Sequence, residues 1–136
     1  MTNLTITAAA VALVQEFESL TLPVDEAVTA GQVGRLNTTT GKLTKANGTT
    51  AAEARAVGVF VRSSRFVNEP VHLIKRGVLD LGAALDSVAL DAVIYLSDTD
   101  GTLADSAGTV STKIGRVIPA FGNVSADKLL YVDMAL

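Results

Sequence analysis

The sequence predicts an all-β protein, a compact β-barrel or β-sandwich of about 8–10 short strands with an internal pseudo-repeat and an extended N-terminal arm. Turn-forming residues recur at intervals of roughly eight to twelve positions, which is the spacing of short antiparallel strands. No helical period is sustained over a long stretch of the chain. A third observation, a repeat of the sequence within itself, supports the same fold class.

Two runs of the chain match each other about sixty positions apart. The first run contains Val28, Val33, Leu36, Thr39, Gly41, Leu43, Gly48 and Thr49, and the second contains Val88, Val93, Leu96, Thr99, Gly101, Leu103, Gly108 and Thr109. Val57-Gly58 and Ile114-Gly115 match again after a three-residue deletion. Because matched apolar and glycine positions imply matched faces and turns, the simplest interpretation is one β unit used twice around one core.

These intervals predict an N-terminal arm at residues 1–14 and a single β domain at 15–136, with pseudo-repeats at about 17–76 and 77–136. Residues 2–7 alternate polar and apolar side chains, as an extended arm or edge strand does. Residues 8–14 are predicted to form either a helix of one or two turns or a continuation of the extended segment. Residues 17–22 predict a strand that Pro23 ends, because proline cannot donate to a ladder.

Within the first unit, residues 32–37 and 42–46 predict a hairpin around residues 38–41. Residues 50–56 predict a short helix or a loop, and the β-branched run 57–62 predicts a strand. A polar loop at 63–69 is closed by Pro70, and a strand follows at 71–75. Gly77 predicts a bend into a further extended segment at 78–81.

The second unit repeats this scheme. Residues 92–96 are predicted to pair with 102–104 across the turn at 97–101, and strands at 113–120 and 128–134 complete the unit. The barrel is expected to be closed or nearly closed, so that its strand edges are hidden.

Composition excludes several classes of function. The net charge is −3 without any run of Lys or Arg, whereas a nucleic-acid-binding protein needs a concentrated basic surface. The chain has no cysteine, so disulfides and thiolate metal sites are excluded. The first basic residue is Arg35, and the apolar stretch at 8–14 is too short to span a bilayer, so we expect a soluble product made in the cytoplasm without membrane contact.

Two groups of residues invite a site hypothesis, and for both a structural interpretation is favoured. Asp98, Asp100 and Asp105 around Gly101 resemble the start of a calcium loop, but the positions that would hold the first and last ligands are Leu96 and Ala107. An Asp-Gly hairpin turn explains the same residues. His72 is the only histidine, and strand alternation places it opposite Val71 and Leu73, in solvent or at an interface. We therefore predict no catalytic, cofactor or metal site, and no enzymatic activity.

The middle of the chain is locally basic through Arg55, Arg62, Arg65, Lys75 and Arg76. These side chains form either a docking patch for an acidic protein surface or ordinary solvated charges, and the second interpretation is favoured. Tyr95 and Tyr131, the only tyrosines, lie in strands predicted to belong to the core.

A distributed pattern of Gly, Val and turn residues runs through LTLP (20–23), EAVTAGQV (26–33), GKL (41–43), ARAVGV (54–59), RGVLD (76–80), VIYLSD (93–98), GTLAD (101–105) and KIGRVIPA (113–120). In these segments the chain resembles the small head decoration, or capsid cement, proteins of tailed bacteriophages. The resemblance spans residues 17–134 and rests on Gly, Val and turn positions without a diagnostic motif. It implies a β domain on the outer surface of the expanded head, where homotrimers clamp neighbouring major capsid protein subunits and an N-terminal arm, here residues 1–14, reaches onto the shell.

The leading hypothesis is therefore a structural virion protein that stabilises the head by binding the expanded lattice. The alternative is a receptor- or carbohydrate-binding β module of a phage tail or fibre, although a chain without tryptophan offers few aromatic rings for sugars. An enzyme ranks last. The segments where the two halves fall out of step, 50–56 and 63–69, and the unmatched residues 1–14 are the first candidates for docking.

Overall fold

Nine strands make up the part of the chain that the computed structural model describes, residues 2–120 and 128–134. The strands are β1 (Ala12–Pro23), β2 (Val33–Asn37), β3 (Lys42–Lys45), β4 (Ala56–Phe60), β5 (Pro70–Asp80), β6 (Val93–Leu96), β7 (Leu103–Ala104), β8 (Lys113–Pro119) and β9 (Lys128–Asp133). Two 3₁₀ turns, Ala8–Ala10 and Gly82–Leu85, are the only helical segments of those residues, which confirms the predicted all-β class. None of their helical segments is long and apolar enough to cross a membrane.

Every ladder between the described strands is antiparallel, and the sheet centres on β5. The order is β3-β2-β4-β5-β9-β8-β6-β7, and β1 pairs with the other edge of β5 along its full length. One edge of β5 serves two partners, since Ile74 faces Val59 of β4 whereas Leu79 faces Leu130 of β9. The first unit (β2–β5) and the second unit (β6–β9) therefore join through one long strand.

The two units have the same ladder registers. Leu36 faces Leu43 in the first hairpin, as Leu96 faces Leu103 in the second. Both units then shift register at the same step, between Gly34 and Arg35 and between Ile94 and Tyr95. Gly41 and Gly101 turn the two hairpins with φ of 72° and 67°, a region that glycine enters without steric cost. The internal repeat in the sequence is thus a repeat of strands, turns and bulges.

Although the registers match, the two units contribute opposite faces to the main core, by which we mean the larger of the two clusters of buried apolar side chains. The row Val33–Val59–Ile74 crosses β2, β4 and β5 and lies in the main core. The corresponding row of the second unit, Val93–Arg116–Tyr131, lies on the outside. The second unit fills the core with its other face, including Ile94, Ile114, Val117, Leu130 and Val132. The main core therefore lies between one face of the first unit and the opposite face of the second unit, an arrangement we call head to tail. The other face of the second unit is left uncovered.

A second, smaller core lies inside the first unit. It joins Val24 and Val28, which follow β1, to Leu43, Phe60, Val71 and Leu73. Val24 forms a parallel bridge to Leu43, so the chain after β1 packs this unit against β3.

Hydrogen bonds also join the two units. The amide of Gly101 donates to the carbonyl of Ala46 at 2.6 Å, and the amide of Gly48 donates to the carbonyl of Ser97 at 2.8 Å. These bonds bring the two hairpins together and give the sheet its curled, barrel-like form.

The N-terminal residues lie along this assembly. Asn3 bridges Ala104 of β7, and the amide of Leu4 donates to the carbonyl of Leu103 at 2.8 Å. Leu4, Ile6 and Val11 pack against the main core. Residues 2–11 are thus extended apart from one 3₁₀ turn, and they lie against the domain. Met1 of the predicted arm lies outside the described residues.

Several element predictions need correction. β1 begins at Ala12, ahead of the predicted start, because its first residues pair with the distant C-terminal half of β5. Gly77 does not bend the chain, since β5 continues through it. A side chain there would lie 2.5 Å from the carbonyl oxygen of Gln15, so glycine allows β1 its close approach. Of the two alternatives predicted for residues 50–56, the loop is confirmed and the helix is not, since residues 51–54 form turns and β4 begins at Ala56. The expectation that closure hides every edge does not hold for β1 within the described residues, where no strand pairs with its second edge between Ala12 and Thr21.

Candidate docking surface

β1 is the most exposed strand of the described chain. No strand of the described residues pairs with its second edge between Ala12 and Thr21. Three large apolar side chains of β1 are exposed to solvent, namely Leu13 (39% exposed), Phe17 (51%) and Leu20 (41%). A long strand with an unpaired edge and exposed apolar side chains is a template for pairing with another chain.

Acidic residues of β1 meet basic residues of β5 across the ladder. Glu18 lies 3.5 Å from the Lys75 ammonium and 3.9 Å from the Arg76 guanidinium, which also contacts Asp133 of β9 at 3.2 Å. A hydrogen bond with Tyr131 and the charge of Asp133 raise the pKa of Arg76 above its ordinary value. Exposed pairs of this kind contribute little stability each, roughly 0–1 kcal/mol. The position of β1 on β5 is set instead by the ladder between the two strands.

His72 lies between two side chains of β1. Its Nε2 contacts the Glu16 carboxylate, and its Nδ1 lies 3.1 Å from the Thr21 hydroxyl. Hydroxyl, imidazole and carboxylate are the groups of a nucleophilic triad. Here they lie on a solvent-exposed face of β1 and β5, with 29% of the His72 side chain and 41% of the Glu16 side chain exposed. A charge that develops there would be solvated by water rather than by preorganised protein donors. We therefore interpret the three groups as side-chain contacts that connect β1 to β5.

The carboxylates of the Asp98–Asp105 turn are directed to separate loops. Asp98 accepts the amide and the hydroxyl of Thr109, each at 2.8 Å. Asp100 accepts the Asn47 side-chain amide at 2.6 Å, and Asp105 accepts the Thr2 amide at 3.0 Å. In residues 2–120 and 128–134, no group of three His, Cys, Asp or Glu side chains is arranged to hold a metal ion. The turn is a hairpin whose acidic side chains bind the neighbouring segments at Thr2, Asn47 and Thr109.

The outward row of the second unit lines a shallow, open groove of about 400 Å³. Its walls are Val93, Lys113, Gly115, Arg116, Tyr131 and Asp133. The Tyr131 ring lies 6.3 Å from that of Phe17, so β1 adjoins this groove. Tyr95 and Tyr131 do lie in strands, but each is only half-buried. Their side chains are therefore not part of the core.

The loop at residues 61–69 joins β4 to β5 and carries a buried carboxylate. Only 3% of the Glu69 side chain is exposed. The carboxylate accepts the Arg65 amide at 2.8 Å, the Arg65 Nε at 2.8 Å and the Arg62 guanidinium at 3.1 Å. The amide of Arg65 is the largest cause that lowers the pKa of Glu69 to about 2; the two arginine side chains lower it further, and burial opposes them. We call Arg62, Arg65 and Glu69 the loop clamp.

Glu69→Gln is expected to remove a pH-dependent contribution to stability. Because the folded pKa of about 2 lies below the ordinary value of 4.5, ionised Glu69 stabilises the fold above about pH 4.5. This contribution is lost as the pH falls through about 2. Denaturant unfolding at several pH values should therefore show the wild type losing more stability on acidification than Glu69→Gln. Glu18→Gln, which removes an exposed carboxylate, is the control; a pH-independent difference between wild type and Glu69→Gln would contradict the expectation.

The basic residues of the middle segment form two pairs rather than one patch. Arg62 and Arg65 meet at Glu69, and Lys75 and Arg76 meet at Glu18. Arg55 is exposed and forms no ion pair within the described residues. Because the basic residues pair with carboxylates at two separate places, they do not form a single docking patch. The arrangement favours the interpretation as ordinary surface charges.

The sequence interpretation missed the loop clamp and the apolar pair beside it. Phe66 (58% exposed) and Val67 (50%) lie on the loop that the sequence describes as polar. Two large apolar residues within a polar loop, followed by a single acid among arginines, are the signal that was available. The burial of Glu69 was not available, because it depends on how the loop folds back over the first unit.

Comparisons with known proteins give no relative for this chain. No family model, no curated protein and no solved structure matches it significantly.

Proposed function

We propose that this protein is a structural decoration, or cement, protein that binds the outer surface of the expanded head of a tailed bacteriophage. It is made in the cytoplasm of the bacterial host, becomes part of the virion, and its partner is the major capsid protein. The observation that supports this most directly is β1, with its open edge and its exposed Leu13, Phe17 and Leu20. The distributed resemblance of residues 17–134 to head decoration proteins supports the choice of partner.

The mechanism follows from the exposed strand. A strand of the shell that pairs with β1 would gain main-chain hydrogen bonds, while pockets on the shell would take the apolar side chains. Residues 2–11 pack along the domain, and among the described strands β1 is the long one whose second edge is unpaired. A protein that binds only the expanded lattice stabilises that lattice by mass action, and many copies act together.

Self-association into a homotrimer is part of this proposal. The outward row Val93–Arg116–Tyr131 supports it, because the matching row of the first unit is covered by protein. Tyrosine and arginine are also enriched at protein interfaces. Light scattering on the purified protein, alone and with shells, measures the mass of the assembly. A mass three times that of the chain is expected; a particle that remains monomeric under both conditions contradicts the trimer.

Purified protein added to undecorated expanded shells is expected to bind saturably and to raise the temperature at which the shells fall apart. The double variant Phe17→Ser, Leu20→Ser removes two apolar side chains of β1 that are already exposed, so the fold should be retained. We expect its affinity for shells to fall at least about tenfold. Sedimentation of shells with bound protein measures this.

Leu90→Ser is the matched control, because Leu90 is 41% exposed like Leu20 but lies outside β1. Its affinity should equal that of the wild type. If the wild type binds neither shells nor capsid protein, the proposal fails. Specific hits for the wild type on a glycan array would instead favour the carbohydrate-binding alternative.

A further inference from the structure

The β4–β5 loop presents two large apolar side chains to water at a defined place. Phe66 and Val67 are the most exposed large apolar residues of the described chain apart from Phe17 of β1. The Arg65 guanidinium lies 5.9 Å from the centre of the Phe66 ring, and 79% of the Arg65 side chain is exposed. An arginine beside an aromatic ring is a frequent composition of the residues that dominate binding energy.

The backbone on both sides of this pair is held in place. Before it, the hydroxyls of Ser63 and Ser64 accept the amides of Ala30 and Val28 at 3.1 and 2.9 Å. After it, the amide of Asn68 donates to the carbonyl of Val24 at 2.8 Å. The loop clamp then joins the two ends of the loop through one buried carboxylate. The apolar pair is therefore displayed on an ordered loop.

The repeat shows that the pairing of the two strands does not require the clamp, since β8 pairs with β9 in the register in which β4 pairs with β5. With the offset that relates β4–β5 to β8–β9, Arg62, Arg65 and Glu69 correspond to Pro119, Gly122 and Ala126. The second unit therefore lacks all three charged groups in its sequence. A buried carboxylate that accepts several hydrogen bonds can specify one arrangement of the chain around it. The clamp is a departure from the repeat that orders the loop carrying Phe66 and Val67.

We propose that residues 62–69 form a preorganised contact loop that inserts Phe66 and Val67 into an apolar pocket with an acidic rim on the phage shell. This inference rests on the proposed function and names a second contact of the same docking. An acidic rim is expected because Arg65 is exposed beside the apolar pair and Lys42 contacts Asn68 at the end of the loop. The loop is thus locally basic on a chain whose net charge is −3. Order in the free loop lowers the entropy lost on binding.

The test compares loop variants in the shell-binding assay. Phe66→Ser, Val67→Ser changes only exposed side chains, so its thermal unfolding should match that of the wild type while its affinity for shells falls at least about tenfold. Arg65→Lys keeps the charge but not the Nε bond of the clamp. We expect it to bind more weakly than the wild type, and wild-type binding to weaken with added salt. Leu36→Ser, at 46% exposure on β2, is the control and should bind normally.

The outcomes separate this inference from the proposed function. If the wild type binds shells and the Phe66→Ser, Val67→Ser variant binds equally well, the contact loop is wrong while shell binding stands. If the loop variant loses binding and Leu36→Ser does not, the inference is supported. If the wild type does not bind shells, both proposals fail. The single variants Phe66→Ser and Val67→Ser are made in case the double variant does not fold. If both single variants bind shells normally, the inference is also overturned.

Discussion

Alanine at Gly115 is expected to destabilise the protein by about 3 kcal/mol or more. A β-carbon there would lie 2.0 Å from the carbonyl oxygen of Tyr131 and 3.1 Å from the α-carbon of Val132. Both atoms belong to the backbone of β9, which is held between β5 and β8. Since no flexible side chain can move aside, β8 and β9 must separate and lose ladder hydrogen bonds.

Gly41→Ala is the control for this experiment. Gly41 has a φ of +72°, and a β-carbon added there would have nothing within 4 Å. Alanine at this position therefore meets only the backbone cost of the left-handed region, about 1 kcal/mol. Denaturant unfolding measures both losses. Equal losses at the two positions would show that β9 does not approach Gly115 as closely as described.

Leu96→Ala is expected to lose about 2–5 kcal/mol, whereas Leu36→Ala should lose less than about 1 kcal/mol. The two leucines occupy the same position of the repeat and face matching partners, Leu103 and Leu43. Leu96 is fully buried in the main core, so alanine leaves a cavity. Leu36 is 46% exposed, so water can occupy much of the space. Denaturant unfolding at neutral pH measures the difference, and equal losses would contradict the head-to-tail stacking of the two units.

The repeat predicts much of the strand pairing because pairing within each unit is local. Gly41 and Gly101 mark turns that close neighbouring strands, and the alternation of the flanking residues sets their register. The length of β1 could not be predicted in this way. Ala12 pairs with Asp80, a contact that no local pattern encodes.

The docking surface was predictable only as a set of segments. The unmatched stretch 63–69 was identified from the sequence, and it holds Phe66, Val67 and the loop clamp. Its chemistry was not identified, because Glu69 is an ordinary acid in the sequence and becomes a buried one only beneath the two arginines. The exposure of Phe17 and Leu20 likewise depends on the absence of a neighbouring strand among the described residues.

The all-β class, the repeated unit and its glycine turns can be derived from the sequence without the structure, since they depend on residues close together in the chain. Which copy of each repeated residue is buried depends instead on the packing of the two units. Units with the same registers stack head to tail, so the row Val33–Val59–Ile74 is enclosed while Val93–Arg116–Tyr131 faces outward. Burial is a property of what covers a face, and two units with the same strand registers therefore acquire different environments.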